Sequence, residues 1–488
     1  MAKTGRGQAP GKRVNGKRTA KKTDTNILVV TAFFALLFVG MMGYLTYFVA
    51  TNEQTLINNS YNSRQALLAA QNIRGSICAA DGTVLAYTSV GEDGTETREY
   101  PYGEKFAHVV GYSTYGRTGV EDQANYYLIH SNAPLTLKVA NNTSDIKNPG
   151  DDVYTTLDVD LQEAAYKALD SYKGAIIVTD VKTGKILAMV SMPDFDPNEV
   201  SDIWNKLIED ESKAPLVNRA TQGLYPPGST FKILTALEYI RENPENWQDY
   251  RFSCNGYYSV QGNRINCYHG THHGTVNFED AFAHSCNSAF ANIGMSLDSE
   301  LFNDTLSQML FNQPLPVQFP YAQSSAEIGE ELSVYDIMQT TIGQGKTLVT
   351  PLQMNMITAA IANGGIMYKP YVVDRVENCR GVTVKQFMPS SYGQVLTAEE
   401  AAILTDMMQA VVEDGTGRGM SGLSYTVAGK TGSAEYGTVK GESHAWFTGF
   451  APVEDPQICV TVIVEGAGSG GDYAVPIAKR VFNAYFNK

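Results

Sequence analysis

Cysteine is scarce, with six in 488 residues, which excludes the disulfide-dense scaffolds of small secreted domains. Charge is thin at 18% of residues, and it leans acidic, with 37 Lys and Arg against 51 Asp and Glu. The body of the chain is therefore a poor partner for nucleic acid. Composition excludes collagen, a coiled-coil rod and global disorder, and no internal repeat is visible. What is present is apolar content. Hydrophobic residues make up 43%, enough for at least one large core, and the length suits two to four domains.

The charge that exists is uneven. Residues 1–26 hold eight basic side chains (Lys3, Arg6, Lys12, Arg13, Lys17, Arg18, Lys21 and Lys22) and one acid, Asp24. That is +7, which leaves −21 on the other 462 residues. This tail is rich in Gly and Thr and is expected to be disordered. Ile27 to Ala50 follows, 24 residues without a charge. At about 1.5 Å per residue it can cross a hydrocarbon core of about 30 Å. A cleaved signal peptide has an apolar region of only about 7–15 residues, and Phe48 and Ala50 do not make a small-x-small cleavage site. An uncleaved anchor is expected. The positive-inside rule then keeps the tail in the cytoplasm and sends everything after Ala50 outside.

Residues 51–150 are polar, rich in Asn and Tyr, and punctuated by glycine. Ile77, Val84, Leu85 and Tyr87 around Asp81-Gly82 predict a hairpin. The turn-rich stretch Asn148-Pro149-Gly150-Asp151-Asp152 reads as a linker. Beyond it, 161–169 has helical spacing, and 174–179 with 186–191 predict a hairpin with a buried face. Residues 445–451 and 458–465 are strand-like, and 474–486 is helical. With a long, mostly helical middle, this order predicts an α/β, layered α+β domain whose antiparallel sheet lies between helices.

Tyr225-Pro226-Pro227-Gly228 breaks structure, and helical apolar spacing starts after it. Ser229 therefore stands at or near a helix N-terminus, where free backbone N–H groups favour negative charge. Lys232, three residues on, shares its face. A serine hydroxyl is a poor nucleophile unless a base takes its proton, and a desolvated lysine can be that base. Taken alone, the pattern SxxK is as readily an N-cap serine beside a solvated lysine. Two further elements change that weighting. Ser285-Cys286-Asn287 lies in an apolar stretch, and Lys430-Thr431-Gly432-Ser433 resembles a strand edge, 56 and 201 residues after Ser229.

In this order, the three elements resemble the signature shared by penicillin-binding proteins and class A β-lactamases. Their surroundings look like class B penicillin-binding proteins over most of the chain beyond the apolar run. The matching stretches include Arg74-Gly75-Ser76-Ile77, Gly119-Val120-Glu121, Thr156-Leu157-Asp158, Asp194-Phe195-Asp196-Pro197-Asn198, Gly343-Gln344-Gly345, Thr350-Pro351-Leu352-Gln353 and Trp446-Phe447-Thr448-Gly449. The resemblance implies a cytoplasmic basic tail (1–26), one transmembrane helix (27–50), a non-catalytic, β-rich pedestal (51–150) and a penicillin-binding transpeptidase domain (151–488). About 100 residues of pedestal are too few for the glycosyltransferase domain of class A members.

The resemblance also implies the chemistry. Ser229 attacks the carbonyl between two D-alanines of a peptidoglycan stem peptide, and an amine of a neighbouring stem then takes the acyl group. Lys232 is the base, Ser285 relays a proton to the leaving amine, and Asn287 orients Lys232 and the substrate amide. Lys430 supplies positive charge near the substrate carboxylate, with Thr431 and Ser433 as hydroxyl donors and Gly432 giving clearance for the acyl group. Backbone N–H groups of Ser229 and Ser433 form the oxyanion hole. Neither an organic cofactor nor a metal is implied. The implied partners are stem peptides, β-lactams as inhibitors and a polytopic membrane glycosyltransferase. A D,D-carboxypeptidase and a low-activity scaffold of a cell-wall synthase complex are the alternatives. A class A β-lactamase needs a deacylating glutamate, and Glu300, in the only comparable Glu-x-x-Asn, comes 13 residues after Asn287, too close to match.

Cys254 and Cys267 precede His269, His272 and His273. Their spacing fits no standard zinc finger, so no metal is expected, and Cys286 reads as a small packed residue. A Cys254–Cys267 disulfide stays open, given a location outside the membrane.

Overall fold

A computed structural model of the chain describes residues 11, 25–57, 63–329, 331–436 and 442–487. Apart from Gly11, Thr25 and Asn26, the basic tail lies outside the described residues. The chain divides into two compact units, the first described over Thr25–Ile57 and the second from Ser63 onward. Thr25–Ile57 is a single helix of 33 residues. Its stretch Asn26–Val49 has a mean hydropathy of 2.3, long and apolar enough to cross a membrane.

A five-stranded antiparallel sheet organises the catalytic part of the second unit. Its order is Ala428–Glu435, Ser443–Ala451, Ile458–Val464, Gly174–Asp180, Ile186–Met192. The inner strands are near-continuous apolar runs because both faces are covered. Ile176, Val178, Val460 and Val462 pack with the helices Val159–Leu169 and Ala474–Phe486. Alternate residues, Ala175, Ile177, Cys459 and Ile463, join the core that holds the helices Lys232–Glu242, Pro351–Ala362 and Ala398–Glu413. Local chemistry sets where these helices begin. Asp158 accepts the Leu161 N–H, Thr350 accepts that of Gln353, and Thr397 forms a capping box with Glu400. The expected layered α/β architecture is present, with its 174–192 hairpin, closing strands and closing helix.

A second sheet has six strands in the order Thr383–Gln386, Val373–Glu377, Asp152–Thr155, Ile77–Cys78, Val84–Val90, Glu96–Glu99. The hairpin around Asp81-Gly82 forms as expected. The stretch 148–152 is not a linker. Asn148–Pro149 pairs in parallel with Asn72–Ile73, and Asp152–Thr155 is an inner strand between Ile77–Cys78 and Val373–Glu377. Turn-rich composition marked the changes of direction, but the pairing partners come from distant parts of the chain. Nearby, Glu121 is fully buried between Arg74 and Arg98, each of whose Nε atoms donates to it at 2.7 Å. Burial alone would push the Glu121 carboxyl up, but the two guanidiniums outweigh it and hold the carboxyl below its ordinary value.

Candidate active site

Pro226 and Pro227 delay the helix Lys232–Glu242, which is preceded by a 3-10 turn, Gly228–Phe231, carrying Ser229. Gly228 takes a φ of 53°, in the left-handed region where a side chain is strained. Its N–H donates to the Gly343 carbonyl at 2.8 Å, and Trp446 Nε1 donates to the Pro226 carbonyl at 3.0 Å. The turn is thus braced from two sides. Ser229 is half-buried, and Lys232, one turn on, is fully buried.

Ser285 has a φ of 56°, rare for a residue with a side chain. This bend, between the helices Phe278–Ala283 and Asn287–Gly294, turns both its carbonyl and its hydroxyl to the lysine. Lys232 Nζ contacts the Ser285 carbonyl at 2.7 Å, Ser285 Oγ at 3.1 Å and Asn287 Oδ1 at 2.7 Å. Asn287 Nδ2 donates to the Asn266 carbonyl at 3.1 Å, which fixes the end of the amide that meets the lysine.

Lys430, from the edge strand Ala428–Glu435, reaches Ser285 Oγ at 3.1 Å and the Thr431 carbonyl at 3.2 Å. The Ser285 hydroxyl is bracketed by two buried amines. Lys232 stands over the Phe290 ring and Lys430 over the Phe282 ring, each at 5.4 Å from the centroid. Burial draws the Lys232 amine down from 10.5 to about 8. Burial, and then the charge of Lys232, draws Lys430 well below its ordinary value. With Lys232 drawn down to about 8, a usable fraction of that amine is neutral near neutral pH and able to accept a proton.

Thr431 Oγ1 lies 2.5 Å from Thr416 Oγ1, and Ser433 Oγ accepts the Gly470 N–H at 3.2 Å. A Cβ at Gly432 would come within 2.9 Å of the Pro227 carbonyl oxygen. The absence of a side chain there gives clearance for the turn carrying Ser229. Gln344 pairs its side-chain amide with the Glu435 backbone at 3.1 and 3.2 Å, tying the end of the edge strand to the loop that holds Gly228.

A buried lysine pair around one serine hydroxyl, beside a second serine at a helix start, suits acyl transfer. Comparison with known proteins agrees. Residues 174–483 match the penicillin binding protein transpeptidase domain, and residues 74–153 match the penicillin binding protein A dimerisation domain. The chain belongs to the penicillin-binding protein transpeptidase family. It is 31% identical over 452 residues to the peptidoglycan D,D-transpeptidase PbpA of Mycolicibacterium smegmatis, spanning 87% of this chain and 91% of that one. It is 32% identical over 443 residues to the peptidoglycan D,D-transpeptidase MrdA of Acinetobacter baumannii, spanning 79% of this chain and 66% of that one. The ceftriaxone acyl-enzyme complex of penicillin-binding protein A from M. tuberculosis shares its fold with a TM-score of 0.79 at 29% identity, covering 86% of this chain and 100% of that one. This penicillin-binding protein is of class B, a serine-type peptidoglycan D,D-transpeptidase of the cell wall.

Within the penicillin-binding protein fold, Lys232, Ser285, Asn287 and Lys430 join in one hydrogen-bonded group. Ser229, Thr431, Gly432 and Ser433 lie on the adjoining turn and edge strand. Sequence reasoning missed Thr416, the two aromatic faces and the Gln344 brace. The signals were faint: Gly415-Thr416-Gly417 before the strand, and aromatics flanking Ser285-Cys286-Asn287. The structure also gathers Cys254, Cys267, His273 and Cys286, which spacing along the chain did not suggest. Cys254 and Cys267 are free thiols with sulfurs 3.6 Å apart, so the disulfide left open above is not formed. Cys286 is buried as expected, but against sulfur rather than hydrocarbon alone.

Proposed function

We propose that Ser229 is the acylated nucleophile of this transpeptidase and Lys232 its base. One observation carries the assignment: a fully buried amine, drawn down to about 8 and held by Ser285 and Asn287, stands one turn from a half-buried serine. The neutral amine takes the Ser229 proton as Oγ attacks the carbonyl between the two D-alanines of a stem peptide. The N–H groups of Ser229 and Ser433 receive the oxyanion, a kind of donor worth about 3–4 kcal/mol each. As the C–N bond breaks, Ser285, set between both amines, passes a proton to the departing D-alanine nitrogen. An amine of a neighbouring stem then attacks the ester, the C–O bond breaks, and Ser229 regains its proton. Lys430 is the cation for the substrate carboxylate, whose negative charge raises the affinity of that amine for its proton. Thr431 and Ser433 donate their hydroxyls to the same carboxylate, and Gly432 keeps their strand close to the turn that bears Ser229.

The same reading covers the rest of the chain. Residues 27–50 hold it in a bacterial membrane as a single span, with tail 1–26 cytoplasmic and the catalytic domain outside. Residues 51–150 form the pedestal and 151–488 the transpeptidase domain, and a polytopic membrane glycosyltransferase provides the glycan strands. The test is intact-protein mass of the full chain incubated with benzylpenicillin, beside Ser229→Ala. A stable gain of one drug molecule, absent in the variant, is expected. An adduct that persists in Ser229→Ala overturns the assignment. Release of D-alanine from a stem peptide with no cross-linked product, even with an amine acceptor present, would make the enzyme a carboxypeptidase instead.

A further inference from the structure

The catalytic strand Ala428–Glu435 pairs with Ser443–Ala451 on one side and ends the five-stranded sheet on the other. Such an edge is a row of backbone N–H and C=O groups able to pair with an extended peptide. How many of them are free decides how much of a peptide the strand can hold. In an antiparallel ladder every second residue turns both of its groups away from the partner strand. Glu435 is one of these, because its N–H and its carbonyl meet the side-chain amide of Gln344 at 3.1 and 3.2 Å. By the same alternation Ser433 and Thr431 also face outward.

These outward positions are not alike. Lys430 Nζ takes the Thr431 carbonyl at 3.2 Å, and Gln344 takes both backbone groups of Glu435. Ser433, between them, lies against the turn that carries Ser229, where a Cβ on Gly228 would come within 2.9 Å of the Ser433 carbonyl oxygen. Gln344 is held firmly in its place. Gly343 and Gly345 flank it with φ values of 73° and 69°, left-handed values that let the loop turn sharply on both sides. The Gln344 N–H donates to the Gln339 carbonyl at 2.9 Å, and the Gly343 N–H donates to that of Thr340 at 2.8 Å. A primary amide carries a donor and an acceptor side by side in one plane, as the edge of a peptide strand does.

We propose that Gln344 stands in for a peptide at Glu435 and so limits an acyl donor to one paired residue, at Ser433. This rests on the reading of Ser229 as nucleophile and Ser433 as oxyanion donor. The penultimate residue of the donor then exchanges both of its backbone hydrogen bonds with Ser433. Its carbonyl oxygen accepts the Ser433 N–H, and its own N–H donates to the Ser433 carbonyl. Antiparallel pairing would bring the residue two positions before it to Glu435. That place is filled, so the donor leaves the sheet there, and the enzyme reads the end of the peptide rather than its length. Gln344 acts on specificity and touches no reacting atom.

The test uses the full chain in detergent, an amine acceptor, and synthetic donors ending in D-alanyl-D-alanine preceded by one, two or three α-linked residues. Only the two longer donors reach Glu435. Release of D-alanine by the wild type should show nearly the same kcat/KM for all three. In Gln344→Ala the longer donors should gain about fivefold or more over the shortest, because the Glu435 N–H and carbonyl open to them. Loss of a merely structural brace would slow all three alike. Amide hydrogen exchange at Glu435 should also quicken in the variant. A wild type that favours the longer donors severalfold overturns the cap without any variant. So does a Gln344→Ala chain, still acylated at Ser229 by benzylpenicillin, whose donors keep their wild-type ratio. A benzylpenicillin adduct on a residue other than Ser229 overturns the underlying reading instead.

Discussion

Two regions of the molecule take charge out of water, and they do so in opposite ways. Beside the six-stranded sheet, Glu121 is fully buried with two guanidiniums at hydrogen-bonding distance, so the charge is answered on the spot. At the edge of the catalytic sheet, Lys232 and Lys430 are also fully buried, but both are cations, and their shared neighbour is a neutral hydroxyl. Among the described residues, the oxygens that meet the two amines belong to carbonyls, a hydroxyl and an amide, and burial draws both amines down. Answered burial fixes a structure; unanswered burial of like charges stores reactivity.

The sharpest way to break this contrast is Lys232→Met. Acylation by benzylpenicillin should fall by about 10²–10⁴-fold, with the thermal midpoint close to that of the wild type. A chain that unfolds instead would make the lysine a structural residue. Glu121→Ala is the mirror image. Leaving two buried guanidiniums unanswered should cost about 3–5 kcal/mol in denaturant unfolding, while the protein that remains folded acylates at a near-normal rate.

The contrast should also appear in pH. The Lys232 amine falls from 10.5 to about 8 on folding, so the unfolded chain binds more protons between those values, and stability rises with pH across that window. Measured against Lys232→Met, the wild type should gain up to roughly 3 kcal/mol between pH 8 and 10.5. Acylation rate should climb through about pH 8 and then level, because the base acts as the neutral amine. A smaller effect is expected from Gly432→Ala, whose methyl group would push on the Pro227 carbonyl. Strain of about 1–3 kcal/mol should show as slower acylation and a lowered unfolding midpoint. Smallest is Trp446→Phe, which removes one hydrogen bond to Pro226 and should cost about 1 kcal/mol.

Legibility in the sequence followed the same division. The motifs could be read because the chemistry they resemble fixes residue types: a serine, a lysine three residues on, and a second lysine on a glycine-bearing strand. The 174–192 hairpin and the closing strands were legible because burial on both faces leaves near-continuous apolar runs. The stretch 148–152 was misread because its turn residues are a local signal, whereas its partners, Asn72–Ile73 and Val373–Glu377, are not. The gathering of Cys254, Cys267, His273 and Cys286 was not legible for a related reason, because Cys286 joins from a different helix start. Gly432 showed as a glycine in a strand, but its close approach to the Pro227 carbonyl did not.

The six-stranded sheet has a consequence for how the chain is made. Its N-terminal strands, Ile77–Cys78 and Val84–Val90, emerge early, but Val373–Glu377 and Thr383–Gln386 are synthesised some three hundred residues later. Until then Asp152–Thr155 stands as an open edge with unpaired backbone groups, the kind of edge that invites pairing with another chain. Folding in order from the N-terminus, as separate domains do during synthesis, is closed to this protein. The six-stranded sheet can be finished only after most of the catalytic sequence has been made, so a chain cut off before residue 373 should aggregate rather than accumulate as a folded N-terminal part.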